Sequence, residues 1–195
     1  NPGYIIWDKF LNGSLESISL TEALQSKRFV YCFHFAGSSH VPLSVDQPYQ
    51  DFLSLLPGTA NLLLYLAKYQ PDCHCVIASS AAVYGNPQSL PITESASLSP
   101  ISPYGIHKRL AEQLAAEYSR VYGLKISIMR IFSAYGVGLK KQLLWDLVVK
   151  ADNARRANSG FINLFGTGEE TRDFIHAKDI AGAALYIASR RAETN

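Results

Sequence analysis

The sequence predicts an α/β fold in which a doubly wound parallel sheet carries helices on both faces. Short, almost continuous apolar runs alternate along the chain with longer segments of helical periodicity. Because a strand that is buried on both faces has no polar side, such runs are typical of parallel sheets covered by helices. Small and polar residues follow several of these runs, at the sheet edge where ligands bind in open parallel sheets.

Three apolar runs predict the central strands of this sheet. They are RFVYCFHF at 28–35, CVIASS at 75–80 and KISIMRIF at 125–132. A helical pattern over about 47–69 connects the first two runs, and Pro57-Gly58 interrupts it. Further along the chain we expect a helix over about 141–156, a strand-like segment FINLF at 161–165 and a helix over 177–190.

The segment SPYGIHK at 102–108 predicts the start of the helix that precedes the third strand. Ser102 can cap a helix, and Pro103 suits its first turn. Apolar residues then recur at helical spacing up to position 122. Tyr104 and Lys108 stand four residues apart, so they share one face close to the positive end of the helix.

The composition is that of a globular protein with a sizeable core, and it argues against some kinds of binding partner. The chain has 195 residues, of which 48% are hydrophobic and 17% are charged, with a formal net charge of +2. That charge gives no reason to expect nucleic acid or a membrane surface as a partner, and no apolar run is long enough to span a bilayer. Three cysteines, an odd number, argue against a disulfide framework and favour the cytoplasm.

Cys73-His74-Cys75 is the motif that would suggest a metal ion. Its spacing is too tight for the usual zinc-binding pairs, and the sequence has no second pair to complete such a site. We therefore expect no metal.

Ser80, Tyr104 and Lys108 together suit the oxidation of an alcohol. Ser80 ends a predicted strand, where its hydroxyl can hold a substrate oxygen. A nearby ammonium and a helix amino terminus favour the phenolate, so we expect a lowered pKa for Tyr104. Such a base takes the hydroxyl proton while a hydride leaves the same carbon for nicotinamide. The Tyr-x-x-x-Lys pair alone is a weak signal, because many helices carry these two residues on an ordinary surface.

Several ordered motifs carry a resemblance to a known family. They are HFAGSSHVPLSVDQP at 34–48, GTANLL at 58–63, VIASSAAVYG at 76–85, SPYGIHKRLAEQ at 102–113, RIFSAYGVG at 130–138 and FGTGEETRDFIHAKDIAGAAL at 165–185. In order and spacing the chain resembles the extended short-chain dehydrogenase/reductase family, and within it the sugar-nucleotide 4-epimerases of the UDP-galactose 4-epimerase type. The resemblance covers almost the whole chain.

The resemblance implies an NAD-binding Rossmann-like domain over 1–135, and over 136–195 part of a small substrate-binding domain with a returning helix. Tyr104 would then be the catalytic base, and Lys108 would hold the nicotinamide ribose and tune the tyrosine. Ser80 would share the substrate hydroxyl. The substrate would be a nucleotide sugar, turned over through a transient 4-keto intermediate.

The resemblance also implies binding residues outside this trio. Further cofactor contacts would be Asp8, Ala36, Gly37 and Ser79, and further substrate contacts would be Ser133, Arg172 and Asp173. Asp8 would bind the adenosine ribose, and a carboxylate there favours NAD over NADP. For Arg172 and Asp173, a local ion pair is the alternative.

The residues after Ser80 favour epimerisation over the other reactions known in the family that the chain resembles. Family dehydratases and decarboxylases carry acidic or other polar residues there, whereas this chain has Ala81 and Ala82. Epimerisation at C4 needs no such extra group. A dehydratase or reductase acting on a similar substrate, or a non-catalytic binding protein that kept the fold, are the alternatives.

Three features depart from the family pattern. The glycine-rich turn G-x-x-G-x-x-G, on which relatives bind the cofactor pyrophosphate, is missing from the sequence. The segments YIIWD at 4–8 and KFLNGSL at 9–15 read as two parallel strands with no crossover between them. Both oddities suggest that the sequence is the joined remainder of a longer protein. Leu55 and Ser133 stand where relatives usually have asparagines.

A homodimer is the oligomeric state that the resemblance implies. In relatives the helices equivalent to 48–69 and 104–122 form a four-helix interface between two subunits. Leucines at 62, 63, 64 and 66 lie on more than one side of the first helix, which suits either a dimer or burial within one subunit.

Overall fold

A computed structural model describes residues 12–15, 19–24, 27–164 and 166–190. In chain order its elements are α1 (Leu20–Leu24), β1 (Tyr31–His34), α2 (Val41–Asp46), α3 (Pro48–Tyr69), β2 (His74–Ser80), a 3-10 helix (Ala81–Val83), α4 (Pro103–Tyr122), β3 (Lys125–Ile131), β4 (Ser133–Tyr135), α5 (Gln142–Arg156), β5 (Phe174–His176) and α6 (Ala177–Arg190). None of the helices in these ranges is both long enough and apolar enough to cross a membrane.

The chain forms two compact units. The first comprises the residues up to Arg130 together with those from Ile187 onwards, and the second spans Ile131–Tyr186.

The first unit is built on a three-stranded sheet in the order β1-β2-β3, with β1 and β2 parallel. Cys75 and Ile77 of β2 belong to the hydrophobic core that the sheet shares with α3 and α4. His74 points to the opposite face, since successive strand residues alternate, and there its Nδ1 lies 3.0 Å from the Ala188 carbonyl oxygen of α6. The predicted parallel sheet with helices on both sides is confirmed.

The long helix α3 is continuous through Pro57, although the sequence predicted an interruption there. A proline inside a helix removes one hydrogen bond and costs about 3 kcal/mol. Burial of one helix face offsets this cost, because Leu55, Leu63 and Leu66 are each no more than 3% exposed. Tertiary packing therefore overrides the local signal.

Both ends of α4 follow the sequence prediction closely. The Ser102 side chain accepts a hydrogen bond from the Gly105 N–H at 3.2 Å, and Pro103 opens the helix. Gly123 ends it in the left-handed conformation, with φ of +70°. The cap fixes the direction in which Tyr104 leaves the first turn.

The second unit contains a strand pair that the sequence analysis did not predict. β4 and β5 run parallel, with Ser133 opposite Phe174 and Tyr135 opposite His176. The predicted strand at 161–165 is wrong over its described residues, since 161–164 are irregular and exposed. Residues 161–164 of the apolar run FINLF are therefore not part of the β4–β5 sheet.

The amino-terminal strands predicted from the sequence mostly lie outside the described residues. This applies to YIIWD at 4–8 and to 9–11. Residues 12–15, the rest of the second predicted strand, are irregular.

Candidate active site

Ser80, Tyr104 and Lys108 meet at the carboxyl end of β2, as their positions in the sequence led us to expect. Ser80 is the last residue of β2, and Tyr104 lies in the first turn of α4. The Ser80 side chain lies close enough to the Tyr104 hydroxyl to lower the pKa of the tyrosine. Lys108 Nζ lies 5.8 Å from the centre of the Tyr104 ring. A serine hydroxyl, a phenol and an ammonium are thus gathered in one place.

Lys108 is the buried member of this group. It is only 5% exposed, and its Nζ donates to the Ala78 carbonyl oxygen of β2 at 3.0 Å. Burial lowers the pKa of the lysine, and the negative charge of Asp51 raises it in turn. A buried ammonium held at a strand end is a strong local positive charge.

The pKa of Tyr104 is raised above its usual value, so the expectation of a lowered pKa is wrong. Burial of the phenol is the largest cause, because it disfavours the charged phenolate. The Ser80 side chain lowers the pKa of Tyr104, and the charge of Asp51 raises it. The sequence shows the nearby lysine, but it does not show how deeply the ring is buried or that a carboxylate lies beside it.

Two contacts hold the first turn of α4 in place. The Tyr104 N–H donates to Ser44 Oγ of α2 at 3.1 Å. At Gly105, the missing side chain allows a close approach of the 3-10 helix, since a Cβ there would lie 2.6 Å from the Ala82 carbonyl oxygen. The Ala82 N–H donates in turn to Ser80 Oγ at 3.2 Å. The contact at Gly105 therefore fixes the turn that carries Ser80 against the turn that carries Tyr104.

A charged network beside the site ties β2, α4 and β3 together. Ser79 Oγ donates to Glu112 Oε1 at 2.5 Å, and Arg130 Nη2 donates to Glu112 Oε2 at 2.8 Å. Arg130 also donates to the Tyr84 hydroxyl at 2.9 Å. Hydrogen bonds to Glu112 are the largest cause of a raised pKa for Arg130. The Ser79 hydroxyl is thus engaged within the protein, and its predicted contact with a cofactor stays a prediction.

The end of β1 supplies a histidine that lies close to the lysine. His34 is 5% exposed, and its Nε2 lies 2.9 Å from Thr59 Oγ1. Because Thr59 Oγ1 donates to the Leu55 carbonyl oxygen at 2.6 Å, it accepts from His34, which places the proton on Nε2. Burial and the charge of Lys108 lower the pKa of His34 to about 4, so the ring is neutral at neutral pH.

The predicted cofactor contacts after β1 lie in an exposed turn. Ala36 and Gly37 are both exposed, and Gly37 has φ of +116°. A Cβ at Gly37 would lie 2.7 Å from Leu55 Cδ1. Leu55, which stands where relatives usually have an asparagine, thus packs under this turn and forms a small core cluster with Leu56 and Ala111. Asp8, the predicted ribose ligand, lies outside the described residues.

The predicted substrate residues of the second unit come together through the β4–β5 pair. The Ser133 N–H donates to the Asp173 carbonyl oxygen at 3.0 Å. Arg172 and Asp173 are both exposed, and in the described part of the chain no ion pair joins them. Their side chains are open to solvent, and their role stays a prediction.

The Cys73-His74-Cys75 motif is part of the core. Both cysteines are 1% exposed, and all three cysteines of the chain are free thiols. His74 uses both ring nitrogens, Nδ1 towards the Ala188 carbonyl oxygen and Nε2 towards Ser127 Oγ at 2.9 Å. Among the described residues, no group of three or more His, Cys, Asp and Glu side chains could hold a metal ion.

A comparison with protein-family models identifies the family of this chain. The model of the NAD dependent epimerase/dehydratase family matches residues 5–195. The chain belongs to this family. The resemblance inferred from the motifs is thereby confirmed.

Three proteins of known name are similar to this chain over most of its length. A putative UDP-glucose 4-epimerase from Methanocaldococcus jannaschii is 33% identical over 186 residues, which is 95% of this chain and 60% of that protein. The UDP-glucose 4-epimerase from Brucella ovis, solved in complex with NAD, has a TM-score of 0.79 and 27% identity, covering 97% of this chain and 62% of its own. The dTDP-glucose 4,6-dehydratase from Streptomyces venezuelae, solved with NAD and TYD bound, has a TM-score of 0.79 and 29% identity, covering 91% and 53%.

The chain spans between 53% and 60% of the length of the first three curated relatives that it matches. The activity, substrates and partners of the whole protein are therefore matters for proposal.

Sequence reasoning missed four polar residues around the Tyr104–Lys108 pair. They are His34, Asp51, His107 and Glu112. One signal was available for Asp51, because it lies four residues before the buried Leu55 and hence on the apolar face of its helix. A charged residue on such a face calls for a partner, and the sequence alone does not say which one it has.

Proposed function

We propose that the protein to which this chain belongs is an NAD-dependent sugar-nucleotide epimerase that inverts C4 of a UDP-sugar. The observation that carries this proposal is the meeting of Ser80, Tyr104 and Lys108 at the carboxyl end of β2. A hydroxyl that holds a substrate oxygen, a phenol that takes its proton and a buried ammonium that favours the phenolate are what alcohol oxidation requires.

The donors around Lys108 suit NAD. An ammonium has three N–H donors, and the Ala78 carbonyl oxygen takes one of those of Lys108, so the others are available for the hydroxyls of a ribose. The exposed turn at Ala36 and Gly37 carries little side-chain bulk, which suits a wall of the cofactor cleft. When bound, NAD would accept the hydride from C4 of the sugar and return it.

The chain's own side chains would move the proton and orient the sugar. Ser80 would hold the C4 oxygen, and Tyr104 would take the hydroxyl proton and later return it. Lys108 would stabilise the phenolate while the sugar is in its 4-keto form. The keto sugar would turn over before reduction, so that hydride returns to its other face. Arg172 and Asp173 would face the nucleotide end of the substrate, and Ser133 would donate a hydrogen bond near its diphosphate. Asp8 and Ser79 would contact the cofactor.

A 4,6-dehydratase is the second candidate, because a dehydratase is among the similar solved structures. The residues after Ser80 favour the epimerase. Ala81 and Ala82 form the 3-10 helix behind Ser80 and offer no acid or base that could act on the carbon next to the oxidised one.

We further propose that the protein is a cytoplasmic homodimer. Three free thiols suit a reducing compartment. Helices α3 and α4 pack side by side, and both expose apolar side chains, among them Leu64 at 51% and Ile106 at 46%. Light scattering of the purified full-length protein would measure the oligomeric state.

The test of the epimerase proposal uses the full-length protein with UDP-glucose, UDP-galactose and their N-acetylated forms. Tyr104→Phe should abolish interconversion, while Tyr122→Phe, an exposed tyrosine on the same helix, should keep it. Release of water with formation of a 4-keto-6-deoxy sugar would favour the dehydratase instead. Full activity of Tyr104→Phe would show the mechanism to be wrong.

A further inference from the structure

Asp51 is a buried carboxylate whose place in the fold the proposed mechanism does not explain. It lies on α3, is 5% exposed, and its Oδ2 accepts a hydrogen bond from His107 Nδ1 at 2.6 Å. Within the described part of the chain its other oxygen, Oδ1, is buried and accepts no hydrogen bond. A buried carboxylate with one unsatisfied oxygen destabilises a fold, so stability does not account for this residue.

The partner of Asp51 belongs to the helix turn that carries the proposed catalytic residues. His107 is three residues after Tyr104 and directly before Lys108 on α4. Its ring also packs edge-on against Phe52, with centroids 5.6 Å apart. The hydrogen bond therefore holds the carboxylate of α3 against the turn of α4 that runs from Tyr104 to Lys108.

The charge of Asp51 reaches both proposed catalytic groups. It raises the pKa of Tyr104 and it raises the pKa of Lys108, in each case as a smaller effect beside burial. Glu112, a further carboxylate of α4, is paired with Arg130 and with Ser79. Within the described residues, Oδ1 of Asp51 accepts no hydrogen bond from a positively charged group. The negative charge of Asp51 therefore acts on Tyr104 and Lys108.

Among the described residues, the other groups around this turn are two titratable rings, one on α4 and one on β1, and neutral hydroxyls. His107 lies on α4 itself, and His34 approaches Lys108 from β1 and is neutral at neutral pH. The contact from α2 is the Ser44 hydroxyl, and that from the end of β2 is Ser80. In the part of the chain that the structure describes, the carboxylate that acts on the Tyr104–Lys108 pair is Asp51.

We propose that Asp51, held by His107, is a positioning residue for the proposed reaction, which keeps a negative charge on α3 beside the Tyr104–Lys108 pair. Its role is to keep Lys108 charged in a buried position, so that the ammonium stays beside Tyr104. The inference rests on the proposed function, because it assigns Asp51 to the same site.

The sign of the effect follows from the charge. The carboxylate repels the Tyr104 phenolate and attracts the Lys108 ammonium. Without it the phenolate forms more easily and the ammonium loses its proton more easily, so the pKa values of Tyr104 and Lys108 both fall. The two groups are close, and the limbs of a pH–rate profile report the pair. Both limbs of the kcat profile should therefore move to lower pH. On the alkaline side kcat should fall by about tenfold, as expected for the loss of one nearby charge.

The experiment compares Asp51→Asn, Asp51→Glu and the matched control Glu117→Gln in the full-length protein. Glu117 also lies on α4, but its side chain is 60% exposed and pairs with Arg120 at the surface. Asp51→Asn should move both limbs, whereas Asp51→Glu and Glu117→Gln should keep the wild-type profile. If Asp51→Asn does not fold, the double variant Asp51→Asn/His107→Gln, which replaces the pair with two neutral amides, takes its place.

A second readout does not depend on turnover. The ultraviolet absorbance of the phenolate, taken as the difference between each protein and its Tyr104→Phe version, follows the titration of Tyr104 directly. In Asp51→Asn this titration should move to lower pH. A loss of kcat with both the profile and the titration in their wild-type positions would overturn the proposal and leave Asp51 a purely structural residue. If the wild-type protein shows no epimerase activity, the proposed function fails, and the titration still decides the role of Asp51.

Discussion

Replacing Gly105 with alanine should lower both the stability of the fold and the rate of catalysis, because there is no space for the new methyl group. Its Cβ would lie 2.6 Å from the Ala82 carbonyl oxygen and 3.0 Å from Pro100 Cβ. The helix turn and the 3-10 helix would have to separate by about 0.8 Å to reach ordinary contact at 3.4 Å. Overpacking of this kind costs about 1–3 kcal/mol.

The same separation acts on the proposed catalytic groups. Tyr104 directly precedes Gly105, and Ser80 is hydrogen-bonded to the Ala82 N–H, so the two side chains move apart together with their backbones. A misplacement of about 1 Å can cost about a hundredfold in rate. We therefore expect a lowered Tm, by about 2–4 °C for each kcal/mol in a chain of this size, and a loss of kcat of up to about a hundredfold.

The assay is thermal unfolding together with steady-state kinetics, with Gly182→Ala as the matched control. Gly182 lies inside α6, and a Cβ there meets no atom within 4 Å. Alanine is favoured over glycine in a helix, so this variant should be more stable by about 0.5–1 kcal/mol. If Gly105→Ala behaves like Gly182→Ala in both measurements, the reasoning from the close approach is refuted.

Two further predictions concern stability. Leu63→Ala should lower the free energy of unfolding by about 2–5 kcal/mol, because Leu63 is 0% exposed, whereas the adjacent Leu64→Ala, at 51% exposure, should change it by no more than about 0.5 kcal/mol. Urea unfolding of both variants measures the difference, and equal losses would contradict the assignment of the core face of α3. The second prediction concerns pH: the folded-state pKa of His34 lies below the unfolded value, so its contribution is present above pH 6.5 and is lost as the pH falls to about 4. The loss is up to about 3 kcal/mol, and His34→Gln should remove that part of the pH dependence. The prediction is wrong if the wild-type protein and His34→Gln lose stability in parallel over this range.

Most of the central sheet and its helices could be predicted because their signals are local. The three apolar runs became β1, β2 and β3, and a serine followed by a proline marked the first residue of α4 correctly. Spacing by four residues also placed Tyr104 and Lys108 on one helix face, and the position of Ser80 at a strand end brought it to them.

Other features could not be predicted because they depend on residues far away in the sequence. Pro57 does not interrupt α3, since the packing of its leucines outweighs the lost hydrogen bond. FINLF is not a strand over its described residues, because residues 161–164 are irregular and exposed. A strand requires a neighbour, and a single sequence does not say which segment that neighbour is.

The sequence by itself determined the parallel sheet, the capped helix α4, and the meeting of Ser80, Tyr104 and Lys108 at one site. The signals for these features, which are periodicity, capping and the ends of strands, each extend over a few residues. Only the tertiary structure decided how those groups are charged. Burial raises the pKa of Tyr104, and Asp51 adds a negative charge from a helix more than fifty positions before it in the chain. Desolvation and Coulomb interactions depend on distance in space, and that distance exists only once the chain has folded.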